Sequence, residues 1–360
     1  MDDLQKKLAI WFEDNKRTLP WRTDPSSYHV WLSEVILQQT RVNQGFDYFN
    51  RFVEQWPTLN DLANASEEEV LKMWQGLGYY SRARNLHQCA KEVVEKHGGI
   101  FPADFEKLKQ LKGIGNYTAA AIASIAYGLP HAVVDGNVYR VLSRLYDIDT
   151  PINKTNGIKQ FANLAEILLD KKHPGRHNQA MMELGALLCT PKNPDCLHCP
   201  IQDHCLALAH HTVDQRPKKE HRNHIRTRYL NYLFIITENH QICLHKRTEK
   251  DIWKNLYDFP CVETEKPMDT ETLIKTTFFK KIIPNDEFII LNVSPPHIHK
   301  LTHQTLIATF TQIKIKGFFS IIQTKDILLT PENDLGTFPV PKLIENYLYQ
   351  NYKPQTNNEL

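Results

Sequence analysis

Four of the seven cysteines have the spacing of a metal centre. They are separated by six, two and five residues, at Cys189, Cys196, Cys199 and Cys205. Reduced thiolates gain little from lying close together unless they bind a metal. Zinc usually takes two short cysteine pairs, whereas only one pair is short here, so the spacing favours a [4Fe–4S] cluster and leaves zinc as the alternative. The remaining thiols are predicted to be ordinary buried residues: Cys89, Cys243 and Cys261.

A single acidic residue, Glu34, lies in the strongly apolar stretch 30–37 (VWLSEVIL). A carboxyl buried among such side chains ionises less readily, so its pKa should rise. A carboxyl with a raised pKa can donate a proton near neutral pH. The pattern therefore predicts that Glu34 is a general acid, and a solvent-facing glutamate is the alternative.

The stretch 111–119 (LKGIGNYTA) predicts a tight backbone turn followed by a helix. Gly113 and Gly115 let the chain turn with its N–H groups exposed, and the N-terminus of the following helix attracts anions. Such a turn can hold a DNA phosphate without reading the base sequence. An ordinary corner between two helices is the alternative.

A second carboxylate, Asp135, precedes a stretch in which apolar residues recur at helical spacing. That position predicts a helix N-cap, in which backbone N–H groups hydrogen-bond the ionised carboxylate and favour it. An ionised carboxylate beside a cleft can stabilise a cationic sugar in a transition state. We therefore expect Glu34 and Asp135 to face one cavity, as an acid and an anion.

The elements that must position these residues change in character along the chain. The first 210 residues have the apolar periodicity of helices, including one from about Thr118 to Tyr127, and are punctuated by proline and glycine turns. Beyond residue 228, β-rich runs predict strands at 229–237, 288–293 and 306–315, and helices are predicted near 270–281 and 341–351. The predicted order is a helical domain at 1–211, a basic linker at 212–227, an α+β domain at 228–350 and a disordered tail at 351–360.

Composition limits the class of protein only broadly. With 360 residues, of which 41% are apolar, the chain is long enough for two domains with proper cores. No apolar run is long enough to span a membrane, and the first residues do not resemble a secretory signal, so we expect a cytoplasmic protein. The net charge of +2 says little about partners, but residues 212–228 hold six Lys or Arg against two acidic residues. That segment is either a solvated linker or one that lies along phosphates.

Four further stretches, taken with the cysteines, carry a resemblance to one family. They are 19–22 (LPWR), 31–40 (WLSEVILQQT), 76–86 (GLGYYSRARNL) and 178–186 (NQAMMELGA). In this order, and over nearly all of residues 1–210, they resemble the MutY family of adenine DNA glycosylases in the endonuclease III superfamily. The resemblance implies an all-α helix-hairpin-helix glycosylase domain with a [4Fe–4S] loop at 189–205, followed by an α+β, Nudix-like C-terminal domain.

The resemblance also assigns roles to individual residues. Glu34 and Asp135 would be catalytic, with Tyr117 and Asn137 orienting Asp135. The adenine pocket would comprise Leu19, Trp21, Arg22 and Gln179. Contacts with DNA, including the wedge that fills the place of a flipped nucleotide, would come from Gln39, Thr40, Leu77, Tyr79, Gly113 and Gly115.

The implied activity is removal of adenine opposite 8-oxoguanine or guanine in double-stranded DNA, by a monomer in the cytoplasm at the nucleoid. Relatives of the endonuclease III type carry a nucleophilic lysine two residues after the second hairpin glycine, where this chain has Tyr117. Strand cleavage by a lyase step should therefore be weak or absent. Lys112 departs from the proline usual in the family and adds a positive charge to the hairpin.

Three other interpretations stay open at this point. They are a bifunctional glycosylase/lyase of the endonuclease III type, a non-catalytic iron–sulfur DNA-binding protein and a zinc-binding structural module. Tyr117 argues against the first, and the presence of both Glu34 and Asp135 argues against the second.

The C-terminal domain resembles that of the same family more faintly. The stretch 253–260 (WKNLYDFP) has the family's W-x-x-L-x-x-F-P pattern and predicts aromatic core packing. No glutamate-rich Nudix helix is present, so we expect no pyrophosphatase activity. Thr302 stands where the family has a Phe-Ser-His loop that touches the lesion, and Leu301 replaces the aromatic residue. A turn without DNA contact is the alternative.

Overall fold

The computed structural model describes residues 3–220, 225–284, 287–315 and 326–352. Among these, the residues of Met1–Asn64 and Asn85–Arg222 pack into one compact unit, unit 1. Those of Ala65–Arg84 and Asn223–Leu360 pack into a second, unit 2. The sequence placed 65–84 in the helical domain, whereas the structure packs this segment with the C-terminal residues.

Unit 1 is helical. Its helices are α1 (Asp3–Asn15), α2 (Pro20–Thr23), α3 (Ser27–Leu37), α4 (Val42–Gln55), α5 (Leu59–Asn64), most of α7 (Ser81–His97), α8 (Phe105–Gln110), α9 (Asn116–Ala121), α10 (Gly136–Leu145), α11 (Thr155–Leu168), α12 (Pro174–Leu187) and α13 (Leu206–Ala209). Helix α6 (Glu67–Met73) and the start of α7 belong to unit 2. No helix of the described residues is long and apolar enough to cross a bilayer.

The main core of unit 1 joins its N-terminal helix to α10 and α12. Leu4, Leu8 and Phe12 of α1 are buried against apolar residues of α10. These α10 residues are the four whose spacing predicted the helix: Val138, Val141, Leu142 and Leu145. Because α10 begins directly after Asp135, this packing fixes the position of that carboxylate.

The helix predicted at 118–127 exists but differs from the expectation in its last turn. Helix α9 begins at Asn116 and ends at Ala121, and a π-helical turn follows over Ile122–Ala126. Asn178 of α12 donates to the Ser124 hydroxyl at 2.8 Å and accepts from the Val133 N–H at 3.1 Å. These bonds tie α12 to the π turn and to the segment that leads to Asp135.

Unit 2 contains a mixed β-sheet with helices on both faces. Its strands are β1 (Arg226–Thr237), β2 (Gln241–Lys246), β3 (Tyr257–Asp258), β4 (Cys261–Thr264), β5 (Phe288–Val293), β6 (His297–Lys300), β7 (Gln304–Ile315) and β8 (Ile327–Pro331). The main path of the sheet runs β3-β2-β1-β7-β5, with β1 and β7 parallel and the other pairs antiparallel. Its helices besides α6 are α14 (Thr270–Lys275), α15 (Thr277–Ile282) and α16 (Lys342–Asn351).

The alternation along β1 explains the two faces of this sheet. Leu233 and Ile235 pack with residues of α14 and α15 on one face. On the other face, Phe234 contacts Tyr347 of α16 edge to face. The predicted strands lie within β1, β5 and β7, and the helix predicted at 270–281 is two helices, because Thr276 ends α14 and caps α15. The stretch 253–260 contributes buried aromatic and apolar side chains to the core, as predicted: Trp253, Leu256, Tyr257 and Phe259.

Parts of the predicted linker and of the predicted tail are packed against other residues. Residues 212–220 are part of unit 1, where Arg216 forms an ion pair with Asp147 at 2.9 Å and the Lys218 carbonyl accepts from Ile152 N–H. Strand β1 already begins at Arg226, while 221–224 lie outside the described residues. Of the predicted tail, Asn351 ends α16, and Tyr352 packs edge to face on Phe234. Residues 353–360 lie outside the described residues.

Candidate active site and iron–sulfur loop

Unit 1 contains a cavity of about 650 Å³ that brings most of the predicted site residues together. Glu34 and Asp135 both line it, as the sequence led us to expect of an acid and an anion. The other predicted residues in its wall are Leu19, Trp21, Arg22, Gln39, Thr40, Gly113, Gly115, Tyr117, Asn137 and Gln179. The volume lies in the usual range of small-molecule sites.

Glu34 lies near the end of α3, whose residues from Val30 to Ile36 are all buried. Burial raises the pKa of Glu34 to about 7. A hydrogen bond from Tyr117 and the charge of Arg22 lower this pKa, while the negative charge of Asp135 raises it further. The alternative of a solvent-facing glutamate is therefore wrong, since only 9% of the residue is exposed.

Tyr117 holds Glu34 rather than Asp135. Its hydroxyl donates to Oε2 of Glu34 and also lies 3.9 Å from the sulfur of Met182. A phenol has one proton to donate. Tyr117 was predicted to orient Asp135, but its proton is donated to Glu34, so it makes no donated hydrogen bond to Asp135. Burial, followed by the charges of Glu34 and Asp135, raises the pKa of Tyr117 well above its ordinary value, which keeps it a donor.

Asp135 is the N-cap of α10, as predicted. Its carboxylate accepts from the Val138 N–H at 2.7 Å and from the Asn137 side-chain amide at 2.8 Å. Asn137 is held in turn by Arg140, whose guanidinium donates to its Oδ1 at 2.8 Å. Burial nevertheless raises the pKa of Asp135, because desolvation outweighs the capping bonds that were expected to dominate.

Another part of the cavity wall combines an aromatic ring with a buried ion cluster. Trp21 packs edge to face on Phe49 at 5.1 Å. Arg22 and Arg17 both bind the carboxylate of Glu183, whose side chain is 1% exposed. Neither Arg17 nor Glu183 was predicted from the sequence as a site residue. The signal available was Glu183 itself, an acidic residue in the apolar stretch 178–186 that requires a buried partner.

The glycine turn has the geometry that its sequence predicts. Gly113 has φ +77°, and a Cβ at this position would lie 2.8 Å from Cβ of Asn85. Gly115 precedes α9 in extended backbone with open space around it. Gln39 also has a left-handed φ of +57° and is exposed at the cavity rim, which is uncommon for a non-glycine residue and points to a constrained tip.

The remaining predicted DNA contacts belong to unit 2. Tyr79 is 45% exposed with a left-handed φ of +48°, and its hydroxyl lies 2.5 Å from the hydroxyl of Thr302. Thr302 is exposed in the turn between β6 and β7. Leu77, also predicted to contact DNA, is buried between the two glycines of its turn.

The four spaced cysteines line a second pocket beside α10. Arg144 donates to Sγ of Cys189 at 3.3 Å, and Arg140 donates to the carbonyl of Cys189 at 2.6 Å. Among the described residues, no three His, Cys, Asp or Glu side chains converge as they would around a single metal ion. A [4Fe–4S] cluster needs one cysteine at each of its four irons, and the four cysteines that line this pocket supply that number. Of the other thiols, Cys89 and Cys243 are buried as predicted, and Cys261 is partly exposed.

Comparisons with known proteins agree with this arrangement. Residues 32–166 match the HhH-GPD superfamily of base excision DNA repair proteins, 189–205 the iron–sulfur binding domain of endonuclease III, and 231–350 the NUDIX domain. A thermostable thymine-DNA glycosylase shares 25% identity and a TM-score of 0.53 over 57% of this chain and 95% of its own. An endonuclease III in a non-covalent DNA complex shares the fold, with 23% identity and a TM-score of 0.50 over 59% of this chain and 94% of its own.

Curated relatives extend over more of the chain. The adenine DNA glycosylase of Buchnera aphidicola subsp. Baizongia pistaciae is 34% identical over 300 residues, or 83% of this chain and 82% of its own. The mouse adenine DNA glycosylase is 43% identical over 272 residues, and the human one 49% identical over 209. These matches cover 73% and 56% of this chain. The chain spans only 52% of the mouse protein and 38% of the human protein.

The fold and the three matches define a member of the HhH-GPD superfamily of base excision DNA repair proteins, with an iron–sulfur binding domain and a C-terminal NUDIX domain. Within that class, the chain belongs to the adenine DNA glycosylase family, as the extent of the Buchnera match establishes. The predicted family, the two-part fold class and the [4Fe–4S] cluster are thereby confirmed. The matched iron–sulfur segment spans all four cysteines, and hydrogen bonds from Arg140 and Arg144 anchor its loop to α10.

Proposed function

We propose that this protein removes adenine from double-stranded DNA by protonating the base with Glu34 and stabilising the resulting sugar cation with Asp135. The observation that carries the proposal is one cavity that holds a carboxyl with a pKa of about 7 and a second, capped carboxylate. The name shared by the curated relatives supports adenine as the base.

Glu34 supplies the proton. With a pKa of about 7, roughly half of the molecules carry the neutral acid at neutral pH. The hydrogen bond from Tyr117 ends on Oε2, so the proton of Glu34 is carried by the other oxygen, which leaves it free for a base in the cavity. Protonation at N7 converts adenine from a poor anionic leaving group into a good neutral one, and the N-glycosidic bond breaks toward an oxocarbenium-like sugar.

Asp135 stabilises that cation from its fixed position at the start of α10. The bonds from Val138 N–H and from the Asn137 amide leave its carboxylate no freedom to turn away. Paired carboxylates perform the same division of labour in glycoside hydrolysis, where one donates a proton and the other stabilises or bonds the sugar. Glu34, now ionised, then helps water complete the reaction as a base.

The base pocket and the absence of an amine determine the substrate and the extent of reaction. Leu19, Trp21, Arg22 and Gln179 line the cavity and can enclose the flipped adenine by stacking and by hydrogen bonds to its edge. Tyr117 takes the place of a lysine nucleophile and is committed to Glu34. The chemistry therefore stops at base removal.

Two regions of the protein serve the DNA backbone and the opposite base. The turn at Gly113 and Gly115 presents N–H groups for a phosphate, while Gln39 and Tyr79, both constrained at left-handed φ, are suited to wedge the opened duplex. The hydroxyl pair of Tyr79 and Thr302 supports 8-oxoguanine as the preferred opposite base. 8-Oxoguanine carries both an N7–H donor and an O8 acceptor, which two neighbouring hydroxyls can bind together, whereas guanine presents only an N7 lone pair and has no O8. Guanine opposite adenine is then the weaker substrate.

We propose that the protein acts as a monomer at the nucleoid. The test is a glycosylase assay on duplexes with adenine opposite 8-oxoguanine, guanine, cytosine or thymine, with and without alkali. We expect alkali-dependent nicking of the adenine strand alone, fastest opposite 8-oxoguanine. Glu34→Gln should bind the duplex but release little adenine, while Glu54→Gln, at an exposed glutamate of α4, serves as the matched control. Release by Glu34→Gln at the rate of this control would refute the acid role.

A further inference from the structure

On the basis of the DNA binding proposed above, we propose that Glu92 is a positioning residue for the phosphate-binding turn, and that it acts through the backbone N–H of Lys112. Glu92 lies on α7, and its Oε2 accepts from the N–H of Lys112 at 3.0 Å. Lys112 directly precedes Gly113, where the chain enters the left-handed region at φ +77°. The bond therefore holds the turn at the point where its direction changes, and both partners belong to unit 1.

Helix α7 supports this turn at two places. A Cβ added at Gly113 would lie 2.8 Å from Cβ of Asn85, so the backbone of the turn packs closely on the helix. Asn85 and Glu92 lie on one face of α7, about two helical turns apart, and Cys89 between them is fully buried. Gly113 is thus positioned by packing, and Lys112 by a hydrogen bond to the same helix.

The bond to Glu92 also restrains the N–H groups that we propose for a phosphate. The N–H of Ile114 donates to the carbonyl of Leu111 at 3.1 Å, and the N–H of Lys112 donates to Glu92. The N–H groups of Gly113 and Gly115 alternate with these two along the chain. Because peptide groups are planar, fixing the engaged N–H groups limits the rotation of the peptide groups between them. Loss of the bond at Lys112 should therefore weaken the hold on DNA and leave the chemical step unchanged.

Glu92 supplies by a hydrogen bond a restraint that proline supplies covalently. The resemblance to the MutY family places proline where this chain has Lys112, and proline has a fixed φ and no N–H to donate. Leu111, the preceding residue, has φ −74° and ψ 148°, the extended conformation that a following proline requires. The turn thus already has a backbone that accepts proline, while a lysine there needs an acceptor for its N–H. Replacing Lys112 by proline should then make Glu92 dispensable.

The charge of Glu92 acts in the opposite direction to its hydrogen bond. A carboxylate beside the proposed phosphate site repels the phosphate, and this repulsion weakens as salt screens it. A glutamate that acted by charge alone would therefore oppose DNA binding. Removing the whole side-chain group and removing only its charge consequently give different results.

The experiment compares Glu92→Ala and Glu92→Gln with Lys112→Pro, Lys112→Ala and the two double variants that combine each lysine substitution with Glu92→Ala. Lys112→Ala removes the lysine charge but keeps the N–H. Glu95→Ala is the matched control, since it removes a charge from an exposed position of the same helix. For each protein, affinity is measured at two salt concentrations for a duplex with a non-cleavable adenosine analogue opposite 8-oxoguanine. The single-turnover rate of adenine release at saturating protein, the iron content and the melting temperature are measured alongside.

We expect Glu92→Ala to bind the duplex about 3- to 10-fold more weakly at both salt concentrations, which is the contribution of one hydrogen bond. Its rate at saturation and its iron content should match those of the unchanged protein. Glu92→Gln should keep most of the affinity, because its amide oxygen still accepts. The loss caused by Glu92→Ala should persist in the Lys112→Ala background and disappear in the Lys112→Pro background. Glu95→Ala should not weaken binding.

Unaltered or tighter binding in Glu92→Ala would overturn the inference, because the carboxylate would then act through its charge alone or not at all. An equal loss in the Lys112→Pro background would also overturn it, since no N–H is present there for Glu92 to position. A slower rate at saturation with a lowered melting temperature would indicate a general structural role and would overturn it as well. If the unchanged protein binds the duplex but releases no adenine, the proposed excision fails, while the affinities still decide the role of Glu92.

Discussion

Removing the Tyr117 hydroxyl should move the pH dependence of adenine release to higher pH. Tyr117→Phe deletes the hydrogen bond that stabilises the ionised form of Glu34, so the pKa of Glu34 must rise above about 7. Hydrogen bonds to charged groups contribute roughly 1.5–3 kcal/mol, and one pKa unit corresponds to about 1.4 kcal/mol. The pKa of Glu34 should therefore rise by at least about one unit in Tyr117→Phe.

The size of the effect follows from the fraction of neutral acid. At pH 8, about 10% of Glu34 is protonated if its pKa is 7, and about half if its pKa is 8. The rate at pH 8, relative to the plateau at low pH, should rise roughly fivefold in Tyr117→Phe. The plateau itself should fall, because the carboxyl loses a group that orients it.

The assay is single-turnover release of adenine from an 8-oxoguanine duplex between pH 5.5 and 9.5. Tyr127→Phe provides the matched control, since Tyr127 donates to the carbonyl of Phe101 and does not line the cavity. An alkaline limb that stays in place or moves to lower pH in Tyr117→Phe would refute the assignment of Glu34 as the acid.

Three further predictions follow from the same geometry. Because the folded pKa of Glu34 is about 7 and its ordinary value is 4.5, the folded state binds more protons between these values, and stability should fall by up to roughly 3 kcal/mol as pH rises through that window. Glu34→Gln has no carboxyl to ionise and should not lose stability in this way. Calorimetry should therefore find this variant more stable than the unchanged protein at pH 8 but not at pH 4. Equal melting temperatures at pH 8 would contradict a buried Glu34 with a raised pKa. Gly113→Ala should lose roughly 1–3 kcal/mol in denaturant unfolding and bind duplex more weakly, since φ is +77° and the added Cβ meets Asn85, whereas Gly115→Ala has open space and should lose far less. Thr302→Ala should reduce the ratio of affinities for 8-oxoguanine over guanine duplexes about fivefold, the value of one hydrogen bond, while Thr302→Ser should keep it; an unchanged ratio in Thr302→Ala would remove Thr302 from recognition.

Local signals allowed the cap at Asp135 and the burial of Glu34 to be predicted. A carboxylate just before an amphipathic stretch predicts a helix N-cap, and an acid within an apolar helix predicts burial. Both predictions need only the neighbouring residues. The partner of Tyr117 was not predictable in this way, because Glu34 is 83 residues away and the choice between two nearby carboxylates depends on packing. The raised pKa of Asp135 was not predicted either, because desolvation of its carboxyl depends on all the residues that surround it in the folded cavity.

Secondary structure was predictable where the apolar periodicity is strong. The unit to which a segment belongs was harder to predict, because it depends on contacts with distant parts of the chain. Strand β5 coincides with its predicted bounds, and α16 begins one residue later than predicted. The helical pattern of 65–84 identifies its conformation but not its partners, so its membership of unit 2 was missed. The Arg17–Glu183–Arg22 cluster joins residues more than 160 positions apart, and only the buried acid gave a hint of it.

The membership of 65–84 in unit 2 has a consequence for dissecting the protein. Tyr80 donates to the carbonyl of Val340, Lys72 to that of Phe338, and Asn255 to the carboxylate of Glu67. A chain cut at residue 222 would keep one side of each of these bonds and lose the other. In such a shortened protein, residues 65–84 would lack the residues on which they pack. A loss of activity would then not by itself measure what the C-terminal residues contribute to lesion recognition.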